Sequence, residues 1–464
     1  MNNYTPTRLA AAVVLAMMVT ACGSVMRSEY QRPAMTLPEH WQQATSTPSQ
    51  IPARWWQVFQ DPQLDRMLTQ LRQSNPDLAK AGISLYKARL TAQQTATNAW
   101  PTPTVGLNAQ SSKPLAGGGS SKSFTGSAAL SYELDLWGKL ASQRDVTHWL
   151  AVASDEDRQA TELSMMGTAA GLYWQIGYLN QAISLSEESL QDTRKLLQLV
   201  NSRYQAGAIG EQDLVSAEQE VASQQATVID YRRQLVAQRN ALAILFDAPP
   251  EAWLPELDKL EALHVPSIPA GLPASVLGNR PDLRASEARL RSALASTDAA
   301  KLNLYPALSL TATAGSESSA LGHLLSDPVA TLGAGLTLPF VDWQNQSLAI
   351  DLADADYQSA VVSFRQDLYQ ALSEVETELN AGQHYAQQGE LLKQQWQWAH
   401  KRSLIALSRY RNGATDVQDW LDARASERTA ALAWAQNHLN RLNSSMSLLK
   451  ALGGAGKVQQ QAGQ

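Results

Sequence analysis

Asp419 and Asp422 stand six and nine residues beyond Gly413, in the stretch Arg409-Tyr410-Arg411-Asn412-Gly413-Ala414-Thr415-Asp416-Val417-Gln418-Asp419-Trp420-Leu421-Asp422. Positions i and i+3 share one helix face, so this pair would present two carboxylates side by side. Crowded carboxylates raise one another's pKa and favour cations; two such groups can equally be an ordinary solvated helix face. The stretch has an earlier copy, Arg203-Tyr204-Gln205-Ala206-Gly207-Ala208-Ile209-Gly210-Glu211-Gln212-Asp213-Leu214, in which Asp213 matches the first aspartate and Ser216 stands at the second position. Other reactive patterns are missing. The seven histidines are scattered with no i, i+4 zinc pattern, and there is no Walker loop, no Gly-x-Ser-x-Gly and no cysteine pair. Gly117-Gly118-Gly119 precedes a strand-like segment rather than a helix, so it reads as a loop tip and not a phosphate cradle. The expectation is therefore no enzyme, no metal and no resident cofactor.

The elements that position these residues are helical hairpins. In each copy a long polar run rich in Ala, Leu and Gln ends at Arg-Tyr-x-x-Gly, and another begins a few residues later. Glycine just past a helix end supplies the left-handed residue that stops it, and an aspartate soon afterwards caps the next helix or favours its first turn. Ile176, Ile183, Leu190, Leu197 and Tyr204 recur every seven residues before the first tip, and Leu214, Val221, Val228, Leu235 and Leu242 do so after it. Two heptad seams around a turn predict an antiparallel coiled coil.

The single cysteine, Cys22, has an informative setting. Arg8 precedes an apolar run, Leu9 to Ala21, which leads through Val19-Thr20-Ala21 into Cys22. The run is a secretory signal, too short for a permanent span, and its end resembles the lipobox of bacterial lipoproteins. That resemblance implies a signal peptide over 1–21, diacylation of the Cys22 thiol, stable anchoring by more than one acyl chain and delivery to the outer membrane. Removing the signal takes away one charged group, so 37 basic residues become 36 against 43 acidic, a net charge of −7. No Lys/Arg cluster stands out, which argues against a nucleic-acid partner.

Residues 22–60 read as an extended lead-in, with Asp61 a cap for a helix starting at Pro62. A repeat of about 205 residues follows: Asn75-Pro76-Asp77-Leu78 matches Arg280-Pro281-Asp282-Leu283, and Trp100-Pro101 matches Tyr305-Pro306. Trp137 matches Trp343, and Gly207 matches Gly413. The expected division is a first repeat over 61–246, a link over 247–275, a second repeat over 276–453 and a flexible tail over 454–464. Each repeat carries two short alternating segments, near 102–112 and 124–135, then near 307–315 and 330–340, in the transmembrane β-barrel pattern. An ordinary half-buried hairpin is the alternative. Four strands cannot close a barrel, and open edges are not tolerated in lipid, so spanning strands require several chains; three would supply about twelve strands. Trp137 and Trp343, at the strand-to-helix junctions, belong either to the core or to a membrane interface.

Cys22, Trp55-Trp56, Asp61-Pro62, Gly278-Asn279-Arg280-Pro281-Asp282-Leu283, the paired tips and the duplication together resemble outer-membrane efflux proteins of the TolC type, in the lipoprotein branch. The resemblance implies a mainly α chain with a small transmembrane β part. It implies a homotrimer whose twelve-stranded barrel continues as a coiled-coil periplasmic tunnel, with an equatorial belt at 247–275. It also implies a passive exit duct for small toxic compounds, working with a periplasmic adaptor and an inner-membrane pump, with the resistance-nodulation-division type favoured over an ATP-driven one. By the same resemblance Asp419 and Asp422 narrow the entrance, while Tyr410 with Arg409 or Arg411 holds the closed state. Arg203, Tyr204, Gly207, Asp213 and Gly413 fall at hairpin tips that meet the adaptor. The competing reading is a lipid-anchored periplasmic scaffold that never spans the membrane.

Overall fold

The computed structural model describes residues 26–42, 54–115, 119–250, 256–260, 263–268, 270–271, 273, 278–323 and 326–454. The signal run, Cys22, the centre of the glycine loop, parts of the 247–275 link and residues 455–464 lie outside them. Seven long or medium helices and four strands are described: α1 Pro62–Ser74, α2 Pro76–Thr97, β1 Thr102–Ser112, β2 Ser121–Leu134, α3 Lys139–Gln205, α4 Glu211–Leu245, α5 Pro281–Leu302, β3 Ala307–Ser318, β4 Val329–Thr337, α6 Trp343–Arg411 and α7 Val417–Ala451. The order helix, strand, strand, long helix, helix occurs twice. At 1.5 Å per residue, the 67 residues of α3 extend about 100 Å.

Two compact units cut across the two repeats rather than separating them. The first holds residues 1–35, 83–157 and 282–367, and therefore all four strands. They form one antiparallel sheet in the order β1-β2-β3-β4, leaving β1 and β4 as free edges. The register sorts the side chains by chemistry. Val105, Leu107, Ala128, Leu130, Leu310, Ala312, Leu332 and Leu336 fall on one face; Thr104, Asn108, Thr125, Ser127, Thr311, Thr313, Thr331 and Gly333 fall on the other. The apolar face is uncovered: Val105 is 82%, Leu107 80% and Leu332 87% exposed. In this unit residues 27–32 lie as a strap along α5, where Ser28 donates from N and Oγ to Asp298 and Arg32 donates to Glu287 at 2.7 Å.

The second unit holds residues 36–82, 158–281 and 368–464. Its core gathers Trp55, Trp56 and Phe59 with Leu64, Leu68 and Leu71 of α1, Tyr173 and Trp174 of α3, Leu242 of α4, and Leu442 and Met446 of α7. Asp61 caps α1 as its sequence position predicts, accepting from the N–H groups of Gln63 and Leu64. The duplicated Asx/Arg-Pro-Asp-Leu stretches have diverged. Asn75 caps α2 through Oδ1. Its counterpart Arg280 reaches Glu374 at 2.7 Å and the Ala451 carbonyl, fastening the end of α7.

Trp137 and Trp343 have also parted. Trp137 is half-buried, donates to the Pro306 carbonyl at 2.8 Å and lies against the Tyr305 ring. Trp343, after β4, is exposed, as is Trp100 before β1. One duplicate became structural, and the other stays available to an interface.

Candidate functional site

Both tips are built the same way. Gly207 and Gly413 have φ of +69° and +72°, the left-handed region that a side chain disfavours. The N–H groups of Gly207 and Ala208 bond the carbonyls of Tyr204 and Arg203; those of Gly413 and Ala414 bond Tyr410 and Arg409. These are paired Schellman closures. Asp213 falls in the first turn of α4, and Asp419 in that of α7. Asp419 and Asp422 are both exposed, and Asp422 accepts from Gln418 Nε2 at 2.8 Å.

The equivalent tyrosines differ sharply. Tyr204 is exposed, whereas Tyr410 is buried against Leu196 and Val200 of α3, Ala217 of α4 and Trp420 of α7. Its ring stacks on Trp420 with an interplanar angle of 7°. Burial pushes the Tyr410 hydroxyl pKa up, and the nearby Arg203 charge opposes that. Trp420 takes the place of Leu214 in the first copy, so the second tip tucks an aromatic pair beneath the first hairpin.

The arginine over Tyr410 is Arg203, 4.9 Å from the ring centroid, and not Arg409 or Arg411. Adjacent residues on a helix do not face one another, so Arg409 points elsewhere and is exposed. The arginine of the other tip faces Tyr410 instead.

A polar network that motif reading missed lies two turns further along. Arg424 on α7 donates to Asp192 of α3 at 2.9 Å and to Glu427 at 2.9 Å, with Glu188 at 3.5 Å. Glu427, only 8% exposed, also meets His400 Nδ1 of α6 at 2.6 Å. Burial pushes the Glu427 carboxyl pKa up, but hydrogen bonds from His400, Arg424 and Ser403 outweigh it and hold the group below its ordinary value. Arg428 adds a bond to Ser189 at 2.8 Å. The sequence did hold a signal: Glu427 follows Trp420 by seven residues, a charge at a seam position, where polar groups fix pairing.

In this unit α3 and α7 touch through that network, leaving α4 and α6 as flanks. Each flank exposes apolar residues at heptad spacing: Val215, Ile229 and Val236 on α4, and Leu391, Trp398 and Ile405 on α6. The earlier seam residues Ile176, Leu190, Val228, Leu235 and Leu242 are buried within the unit. The flanking stripes are additional, unpartnered seams.

The family described as outer membrane efflux protein matches residues 67–246 and 272–454. The pyoverdine export outer membrane protein OpmQ of Pseudomonas putida is 31% identical over 90% of this chain and 92% of its own. Toxin and drug export protein A of Aggregatibacter actinomycetemcomitans is 26% identical over 97% of this chain and 98% of its own. The open-state MtrE outer membrane channel of Neisseria gonorrhoeae superposes with a TM-score of 0.84 at 28% identity, covering 92% of this chain and 98% of that one.

Proposed function

This chain belongs to the outer membrane efflux protein family, and on that premise we propose that three copies share one twelve-stranded barrel and form a passive exit duct for small toxic compounds. It is a channel rather than an enzyme. The observation that carries the reading is the sheet with an uncovered apolar face and two free edges. Lipid satisfies the face, and closure of β4 onto the next copy's β1 satisfies the edges. A periplasmic scaffold would leave that face in water. The unpartnered seams on α4 and α6 support the same head-to-tail arrangement, because a ring brings one flank against the other.

The second hairpin is the gate. Threefold symmetry sets six carboxylates, from Asp419 and Asp422, around one constriction, where they favour cations. Arg203 on Tyr410 and Arg424 on Asp192 tie this hairpin to the first, and opening is a shift between two packings. The free tips, Gly207 to Asp213 and Gly413 to Asp419, receive the periplasmic adaptor. Behind it stands an inner-membrane pump, of resistance-nodulation-division type in keeping with the lipoprotein-branch resemblance. A lipid on Cys22 anchors the N-terminus.

Replacing Asp419 and Asp422 together by alanine is expected to raise single-channel conductance in planar bilayers and to weaken block by divalent cations. Traces identical to wild type would remove both residues from the gate.

A further inference from the structure

The strand-bearing unit contains a cavity of about 220 Å³. Ser142, Asp145 and Trp149 of α3 line it, with Arg291 and Asp298 of α5 and Arg27 of the strap. Two of its buried donors lack partners among the described residues. Ser142 is 1% exposed and its Oγ makes no hydrogen bond, and neither does Arg291 Nε. Native buried polar groups are seldom left so. Arginine can only donate and serine readily does, so the missing partner is an acceptor oxygen.

The other charges restrict what brings that oxygen. Arg27 pairs with Asp145. Asp298 is held by Ser28 N and Oγ at 2.8 and 2.7 Å. The Arg291 guanidinium lies 4.5 Å from the Tyr30 ring and 4.7 Å from that of Trp149, and reaches Glu287 at 3.1 Å. Two arginines and two aspartates thus line the cavity. A bare anion meets both aspartates unfavourably, whereas a zwitterion has a complement for each end.

Location supplies the rest. Ser142 stands three residues inside α3, which follows β2, and Asp298 stands four residues before the end of α5, which precedes β3. At 1.5 Å per residue, both lie roughly 5–6 Å along their helices from the strand side. That matches the ~5–8 Å headgroup layer on each side of the hydrocarbon core. Trp100, just before β1, and Trp343, just after β4, are exposed at the same end of the sheet and suit the membrane interface.

We propose that this cavity receives the headgroup of a zwitterionic aminophospholipid. A phosphate oxygen accepts from Ser142 Oγ and Arg291 Nε, and the ammonium lies toward Asp145 and Asp298. The cavity is smaller than the ~300 Å³ at which drug-sized pockets begin, so the acyl tails stay outside in the bilayer. The bound lipid also sits under the strap and helps to fasten it. The proposal rests on the strands spanning the membrane.

The test is native mass spectrometry of the purified full-length protein, titrated with palmitoyl-oleoyl phosphatidylethanolamine, the matching phosphatidylglycerol, or inorganic phosphate. Phosphatidylethanolamine is expected to bind about tenfold more tightly than phosphatidylglycerol, and Ser142→Ala to weaken it about three- to tenfold, the worth of one hydrogen bond. Ala295→Leu, which fills the cavity, should abolish binding; should that variant not assemble, Ser142→Ala carries the test. Equal binding of the two lipids overturns the proposal, as does binding of free phosphate alone or unchanged affinity in Ser142→Ala. Bilayer conductance of the same preparations separates the two readings. Protein that conducts without lipid preference loses only this site, while protein that binds the lipid but never conducts loses the channel.

Discussion

Leu107→Arg is expected to eliminate assembled protein from the outer membrane, while Asn108→Arg, one residue along the same strand, leaves assembly intact. Leu107 is the sixth of eleven residues in β1 and sits opposite Gly126 on the apolar face; Asn108 sits opposite Thr125 on the polar face. An arginine on the lipid side near the bilayer midplane costs about 2–4 kcal/mol per strand. Three copies multiply that to about 6–12 kcal/mol, comparable to the ~5–15 kcal/mol that stabilises a folded protein. The bore side is solvated, so Asn108→Arg changes only conduction, lowering the preference for cations. Heat-modifiable bands in outer-membrane fractions report assembly. Equal levels of the two variants would mean that the faces are assigned the wrong way or that the sheet does not span.

Arg424→Ala should have the second largest effect, releasing the second hairpin, the proposed gate, from the first. The substitution removes a guanidinium that joins Asp192 to Glu427 and leaves the buried Glu427 with His400 and Ser403. Breaking a buried pair costs ~3–5 kcal/mol; Arg424 is about a quarter exposed, which places it toward the lower end. Spontaneous openings in planar bilayers should become frequent, and amides near residues 417–424 should exchange faster. Arg424→Lys should not restore closure, because an ammonium lacks the planar fork that serves two carboxylates. Arg409→Ala, on the exposed side of the tip, should behave as wild type.

The pH dependence has a definite sign. Glu427 is held below the ordinary glutamate pKa of 4.5 in the folded state. Its contribution is therefore complete above that value and is lost as pH falls through the depressed one. Closure should loosen under acid conditions, as pH falls below the usual glutamate range.

The features most legible in the sequence were those that backbone geometry enforces. Gly207 and Gly413 had to fall where the chain turns left-handed, so both tips and the 206-residue offset could be read directly. Alternation in β1 and β3 identified the strands, because a sheet exposed to different media on its two faces writes that difference into odd and even positions. Partner choice was hidden. Arg203 and Arg409 occupy equivalent positions, and only packing decides that Arg203 meets Tyr410. Residues 27–32 looked like any polar lead-in; that they complete Glu287 and Asp298 depends on contacts more than 250 residues distant in sequence. Trp137 and Trp343 were indistinguishable as letters, yet one is bonded to Pro306 and the other is exposed.

No single copy can seal a cylinder through lipid, and three do so together. Light scattering of the detergent-extracted, full-length protein measures this most directly, through the mass of the protein within the particle. Three chains per particle are expected. A stable particle containing one chain would contradict it.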